Sequence, residues 1–107
     1  MSNTKFFERR MSDVVDRLTQ AGFTESFRGE VGGIRGAKSG LLHRPDELEI
    51  VRIDRFEGIS NPEDETMVLA LSCKTHGCHG TYITPYGKDM PSVDATLIRR
   101  IPDGRPK

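Results

Sequence analysis

Residues 73–80, Cys-Lys-Thr-His-Gly-Cys-His-Gly, bring two cysteines and two histidines into eight positions. Thiolate and imidazole are the ligands that a borderline-soft cation such as Zn2+ selects, typically as two pairs delivered by separate pieces of chain. Cys73, His76, Cys78 and His79 are therefore the candidate metal-ligating residues. The apolar runs on either side make this segment a β-hairpin, with His76-Gly77 as a two-residue turn. In that register Thr75 faces Cys78, Lys74 faces His79, Cys73 faces Gly80 and Leu71 faces Tyr82. Side chains alternate across a strand, so Leu69, Leu71, Cys73, Cys78 and Tyr82 share one face, and Lys74 and His79 take the other. A complete zinc site from this hairpin alone is geometrically poor, because His79 points away from the cysteines. A half-site completed by His43 or by a second subunit is the workable version. Two further readings stand beside it. Cys73 and Cys78, on diagonal positions, could form a disulfide, or Cys73 is a small core residue while Cys78 and the histidines decorate a turn.

A second constellation surrounds a polar loop. Arg55 and Glu57 lie on one strand face, and Asp64 follows the Asn61-Pro62 turn. Two carboxylates with a cation can orient a small ligand or transfer protons. The same residues can equally pair with one another and hold the turn through backbone hydrogen bonds. Tyr86, before Gly87, projects into a shallow groove or packs over the sheet end. Arg55, Glu57, Asp64 and Tyr86 are the candidate ligand-binding residues, and none is assigned a catalytic role. Gly33-Ile34-Arg35-Gly36 sits between strands rather than between helices, which removes a KH-type single-strand-binding loop. A phosphate-binding nest in residues 29–40 is conceivable, but a turn is the plainer reading.

These residues need positioning elements. Phe7, Met11, Val14, Val15, Leu18 and Ala21 recur at helical spacing with polar residues between, giving an amphipathic helix that Gly22 stops. Its start is set by Thr4 or lies near Met11. Residues 23–27 form a short strand, and the glycine-rich stretch 29–40 gives turns and weak edge pairing. Another short extended piece covers 40–43. Leu48–Phe56 is a strong strand whose alternation slips near Val51, the signature of a bulge. Residues 67–73 form a central, wholly apolar strand, and 81–84 its partner. Ser92–Ile101 is a second helix, with Asp94 in its first turn, Arg99 and Arg100 in its last, and Pro102 beyond. The expected fold is α+β: a meander of four to five antiparallel strands with the N-terminal and C-terminal helices packed on one face. One domain spans residues 1–101, with 102–107 as a flexible tail. The other sheet face would stay partly apolar, through Val51, Ile53, Val68 or Ile83.

Arg55-Phe56-Glu57-Gly58, with Ser60, Pro62 and Asp64, resembles the central motif of a family of small bacterial proteins of about a hundred residues. Gly22-Phe23-Thr24, Pro45 and Ile50, and Tyr86-Gly87 match its flanking pattern, and the resemblance covers residues 10–101. Members of that family commonly carry the label phosphoribosylpyrophosphate synthetase. That activity needs a nucleotide site, a sugar-phosphate site and Mg2+, which 107 residues with a modest core do not house. No phosphate loop of the Gly-x-x-x-x-Gly-Lys-Ser/Thr kind is present either. The resemblance also implies a plain Lys-Asp-Gly hairpin where this chain has Thr75-His76-Gly77, so the Cys/His cluster is a departure from it.

Composition narrows the function classes. Sixteen basic residues balance sixteen acidic ones, and phosphate neutralisation by a nucleic-acid binder calls for a basic excess or stripe. Nucleic acid is therefore not an expected partner, and neither is a membrane, because no apolar run is long enough to span one. No secretory leader is recognisable at the N-terminus, so the expected compartment is the cytoplasm, with both cysteines as thiols. The first functional expectation is a non-enzymatic binding or interaction module, forming a homodimer or holding a protein partner through the open sheet face. It carries no cofactor unless the second expectation holds, a zinc-binding or thiol-sensing hairpin at Cys73 and Cys78. The third is a small enzyme using Arg55, Glu57 and Asp64.

Overall fold

A computed structural model describes residues 11–56, 65–87 and 90–105. Helix α1 (Met11–Gln20) is followed by β1 (Glu25–Glu30), β2 (Gly33–Gly36) and β3 (Leu42–His43). A 3-10 turn (Pro45–Glu47) leads into β4 (Leu48–Phe56), β5 (Thr66–Cys73), β6 (His79–Pro85) and α2 (Ser92–Arg100). The class is α+β, as expected. The sheet, however, has six strands in the order β3-β2-β1-β6-β5-β4. It consists of two three-stranded antiparallel meanders, β1–β3 and β4–β6, joined by a parallel pairing of β1 with β6. The expected four- to five-stranded antiparallel sheet is corrected on both counts. The glycine-rich stretch supplies one whole strand, β2, and the end of β1, and its hairpin folds outward from β1 instead of continuing towards β4.

The two edge strands of this sheet are consecutive in sequence and are connected through Arg44–Glu47 alone. Six flat strands would hold their edges about 24 Å apart, while the five Cα steps from His43 to Leu48 reach at most about 17 Å. The sheet is therefore curled. Its two edges converge at the link, where Lys74 N donates to Glu47 O at 3.0 Å.

Curling separates the two helices. Leu97 and Ile101 pack with Phe27, Ile34, Leu48, Ile50, Met67, Leu69, Leu71, Cys73 and Tyr82, the concave side of the sheet. Val14 and Leu18 of α1 cover Val68 and Ala70, which alternate with those residues along β5 and so lie on the convex side. The helices are on opposite faces, not on one. β5 is apolar on both sides because it is covered on both. The residues expected on an uncovered face are divided accordingly. Val68 is buried under α1, Val51 packs beside it, Ile53 joins the concave core, and Ile83 remains 44 % exposed.

The bulge expected in β4 falls between Ile50 and Arg52. It lets Ile50 and Ile53, three positions apart, both face the concave core. Where a frayed end is expected after α2, Ile50 N donates to Pro102 O (2.9 Å) and Gly104 N to Ile50 O (2.8 Å), docking the tail on β4. Tyr82, buried in β6, donates its hydroxyl to Asp94 of α2. This ties the C-terminal helix to the concave face.

Candidate metal centre

The β5–β6 hairpin is built around the turn Lys74–Gly77, two residues longer than the two-residue version. Gly77 N donates to Cys73 O at 2.9 Å, and Gly77 sits at φ +71°, a left-handed conformation that costs glycine little. The register pairs Ser72 with His79 and Leu71 with Gly80. Cys73 therefore stands directly opposite Cys78, whose carbonyl accepts from Cys73 N at 2.7 Å. The diagonal placement expected from the sequence is corrected. The shift of register is two residues, so Leu69, Leu71, Cys73, Cys78, His79 and Tyr82 keep the faces assigned to them, while Lys74 and Thr75 fall in the turn.

His43 arrives from the other edge of the curled sheet. It pairs with Ile34 of β2 and so faces the concave side, where its ring is 0 % exposed. The edge of Phe27 supports it, with ring centroids 5.6 Å apart. The Cys73 sulfur lies 3.6 Å from His43 Nδ1 and 3.4 Å from His76 Nδ1. The ligand atoms of His43, Cys73 and His76 all fall within 4.8 Å of one another. His43 and Cys73 are buried and His76 is exposed in the turn, so the group opens to solvent on the His76 side. The backbone N–H of His76 also donates to the Cys73 sulfur (3.3 Å), a dipole that complements the charge of a coordinating thiolate.

Distances of 3.4–3.6 Å suit a thiol–imidazole hydrogen bond in the metal-free protein. They also match a zinc tetrahedron: with Zn–S about 2.3 Å and Zn–N about 2.0 Å, its sulfur–nitrogen edge is about 3.5 Å. His43 Nδ1 is the nitrogen that faces Cys73, while His43 Nε2 is the one buried side-chain polar atom without a hydrogen-bond partner among the described residues. Either neutral tautomer leaves it unsatisfied, at a cost of about 1–3 kcal/mol. A leucine would fill this position without that cost, but it would lack the nitrogen that faces Cys73 and His76.

The charge around the group distinguishes a bound cation from a free thiolate. Burial, and then the neighbouring His76, hold the His43 imidazole below its ordinary range, while Glu47 and Glu25 pull the other way. His43 is thus uncharged at neutral pH, its 3.8 Å approach to Glu47 Oε1 is a polar contact rather than an ion pair, and a ring lone pair is available. Burial first, and then Cys73, push the Cys78 thiol up to about 11, with Glu25 adding to the rise. Glu25 acts on both groups, and Glu47 on His43 as well. This surrounding favours a bound cation and disfavours an activated free thiolate.

The remaining sequence-predicted residues are placed as follows. His79 lies on the convex side, 3.3 Å from Ser72 Oγ and with its ring centroid 5.3 Å from that of Phe23 in a tilted contact, away from the cysteines as expected. Arg55 and Tyr86 do meet, with the guanidinium 5.7 Å from the ring centroid, a cation–π contact. Glu57 and Asp64 lie outside the described residues. The conceivable phosphate nest is filled from within the chain. The buried Glu25 carboxylate accepts from Lys38 N at 2.7 Å and from Ser26 N and Ser39 N at 3.0 Å each. Burial raises its pKa, and those backbone bonds more than offset the rise, leaving it below the usual range. Both cysteines are free thiols. Among the described residues no helix is long and apolar enough to cross a membrane. Comparison with family models, curated proteins and solved structures gives no match to this chain.

Proposed function

We propose that this chain is a metal-binding domain whose centre is formed by His43, Cys73 and His76. The observation that carries the proposal is their convergence: a strand end, a hairpin strand and a hairpin turn deliver three soft or borderline ligand atoms to within 4.8 Å. Two are fixed by the core, and the exposed third gives a cation its way in. One thiolate and two imidazoles suit zinc and its neighbours in the first transition row. Ca2+ and Mg2+ need oxygen ligands and fit poorly. The alternative of a small enzyme at Arg55, Glu57 and Asp64 draws less support, because the Arg55 guanidinium is engaged with Tyr86.

Elemental analysis of untagged protein, purified without chelator, tests the proposal. About one equivalent of zinc or another transition metal is expected, lost in Cys73→Ser and reduced in His76→Ala. Metal-free protein whose melting temperature does not respond to added Zn2+, Co2+ or Ni2+ would overturn it. A cation that binds only the native form must raise that temperature.

A further inference from the structure

We infer that Cys78 is the fourth ligand of this centre, closing it as a Cys2His2 tetrahedron; the inference rests on the metal-binding reading above. A centre with three protein ligands keeps a position for water and does chemistry there, whereas a centre with four is closed and structural. The identity of the fourth group therefore decides what the metal is for. The hairpin places Cys78 across the ladder from Cys73, with the backbones bonded at 2.7 Å. Cys78 shares the concave face with Cys73 and packs half-buried against the core there. Its sulfur is not among the ligand atoms that lie within 4.8 Å of one another, so closing the centre requires the Cys78 side chain to turn inward.

The competing oxygen and nitrogen ligands are engaged elsewhere. Glu47 Oε1 accepts from Arg44 N at 3.1 Å, and its second oxygen lies 4.0 Å from the Arg44 guanidinium. The Glu25 carboxylate is held by three backbone N–H groups. His79 points to the other side of the sheet, towards Ser72. Two thiolates and two neutral imidazoles carry a charge of −2, which cancels that of a divalent cation, so the loaded centre is neutral where it is buried. Such a set takes Zn2+, with Co2+ and Cd2+ as substitutes, and leaves no coordinated water to act as a nucleophile. Seated between β3 and the β5–β6 hairpin, the metal ties one edge strand of the curled sheet to the hairpin across the curl.

X-ray absorption on the zinc-loaded wild-type chain tests the inference without a variant. Two sulfur and two nitrogen neighbours are expected; one sulfur with three nitrogen or oxygen neighbours would overturn it while sparing the three-ligand reading. The Co2+ derivative gives an independent measure, because its near-ultraviolet sulfur-to-metal band scales with the number of thiolates. Cys78→Ser is expected to lose about half of that band and Cys73→Ser a similar share. An undiminished band in a folded Cys78→Ser variant would remove Cys78 from the centre. Wild-type protein that takes up neither Zn2+ nor Co2+ would bring down this inference together with the metal-binding reading.

Discussion

Replacing His43 by leucine sets metal binding against fold stability. In the metal-free protein the substitution removes a buried nitrogen without a partner, which is worth about 1–3 kcal/mol. It also removes the contact with the Cys73 thiol, worth about 0.5–1 kcal/mol, and the edge contacts with Phe27 and His76, worth about 0.5–1.5 kcal/mol. These contributions nearly cancel. The metal-free variant is expected within about 1 kcal/mol of wild type, on the more stable side, unlike an ordinary large substitution in a core, which costs about 2–5 kcal/mol. With zinc at a hundredfold excess over its dissociation constant, wild type gains about 2.7 kcal/mol. At about 4–8 °C per kcal/mol for a domain of this size, that is a rise of roughly 10–20 °C, and the variant should show none of it. The order of stability should therefore reverse between chelator and zinc. Thermal melts by circular dichroism, with reductant present, read both conditions. A metal-free variant more than about 2 kcal/mol below wild type would mean that the imidazole is an ordinary paired core group. A full zinc shift in the variant would mean that it is not a ligand.

In metal-free, reduced protein, stability is expected to fall as pH rises from 9 to about 11. The Cys78 thiol ionises near its ordinary 9.0 in the unfolded chain but near 11 in the folded one, so the unfolded state loses its proton first and gains over that window. Cys78→Ser should flatten the slope in urea titrations across it. Tyr82→Phe should cost about 1.5–3 kcal/mol by denaturant melting, because the buried hydroxyl bonds a carboxylate, Asp94; a loss below about 0.5 kcal/mol would leave that bond without a role in seating α2. Gly80→Ala should unfold the chain or cost more than about 3 kcal/mol, since its Cβ would meet the backbone of Glu25 where β1 runs beside β6. Soluble, wild-type-like protein would show that the parallel junction can shift to make room.

Much of the architecture was readable in the residues, for identifiable reasons. The wholly apolar β5, the bulge in β4 and the two amphipathic helices each left a periodic signal. So did the facing of Cys73 and His79, which survived a hairpin register wrong by two because a two-residue slip preserves parity. The outer half of the sheet left almost none. Gly29, Gly33 and Gly36 have no side chains to mark alternation, so the stretch holding β2 read as turns with weak edge pairing. The parallel β1–β6 junction pairs residues far apart in the chain, and local patterning does not report such pairings. His43 could be named only as one way to complete a half-site. Its nearness to Cys73 follows from the short Arg44–Glu47 link, whose importance emerges only when β3 and β4 are known to be opposite edges.

The parallel junction has a kinetic consequence. Each meander is made of neighbouring chain and can assemble on its own, whereas the junction aligns only Glu25, Ser26 and Phe27 with Gly80, Thr81 and Tyr82, across a large loop. Contacts of that kind form late and open early. Amide hydrogens along Glu25–Phe27 should therefore exchange well before those of β5, and the first partial opening of this molecule should be a parting into two leaves hinged on Arg44–Glu47.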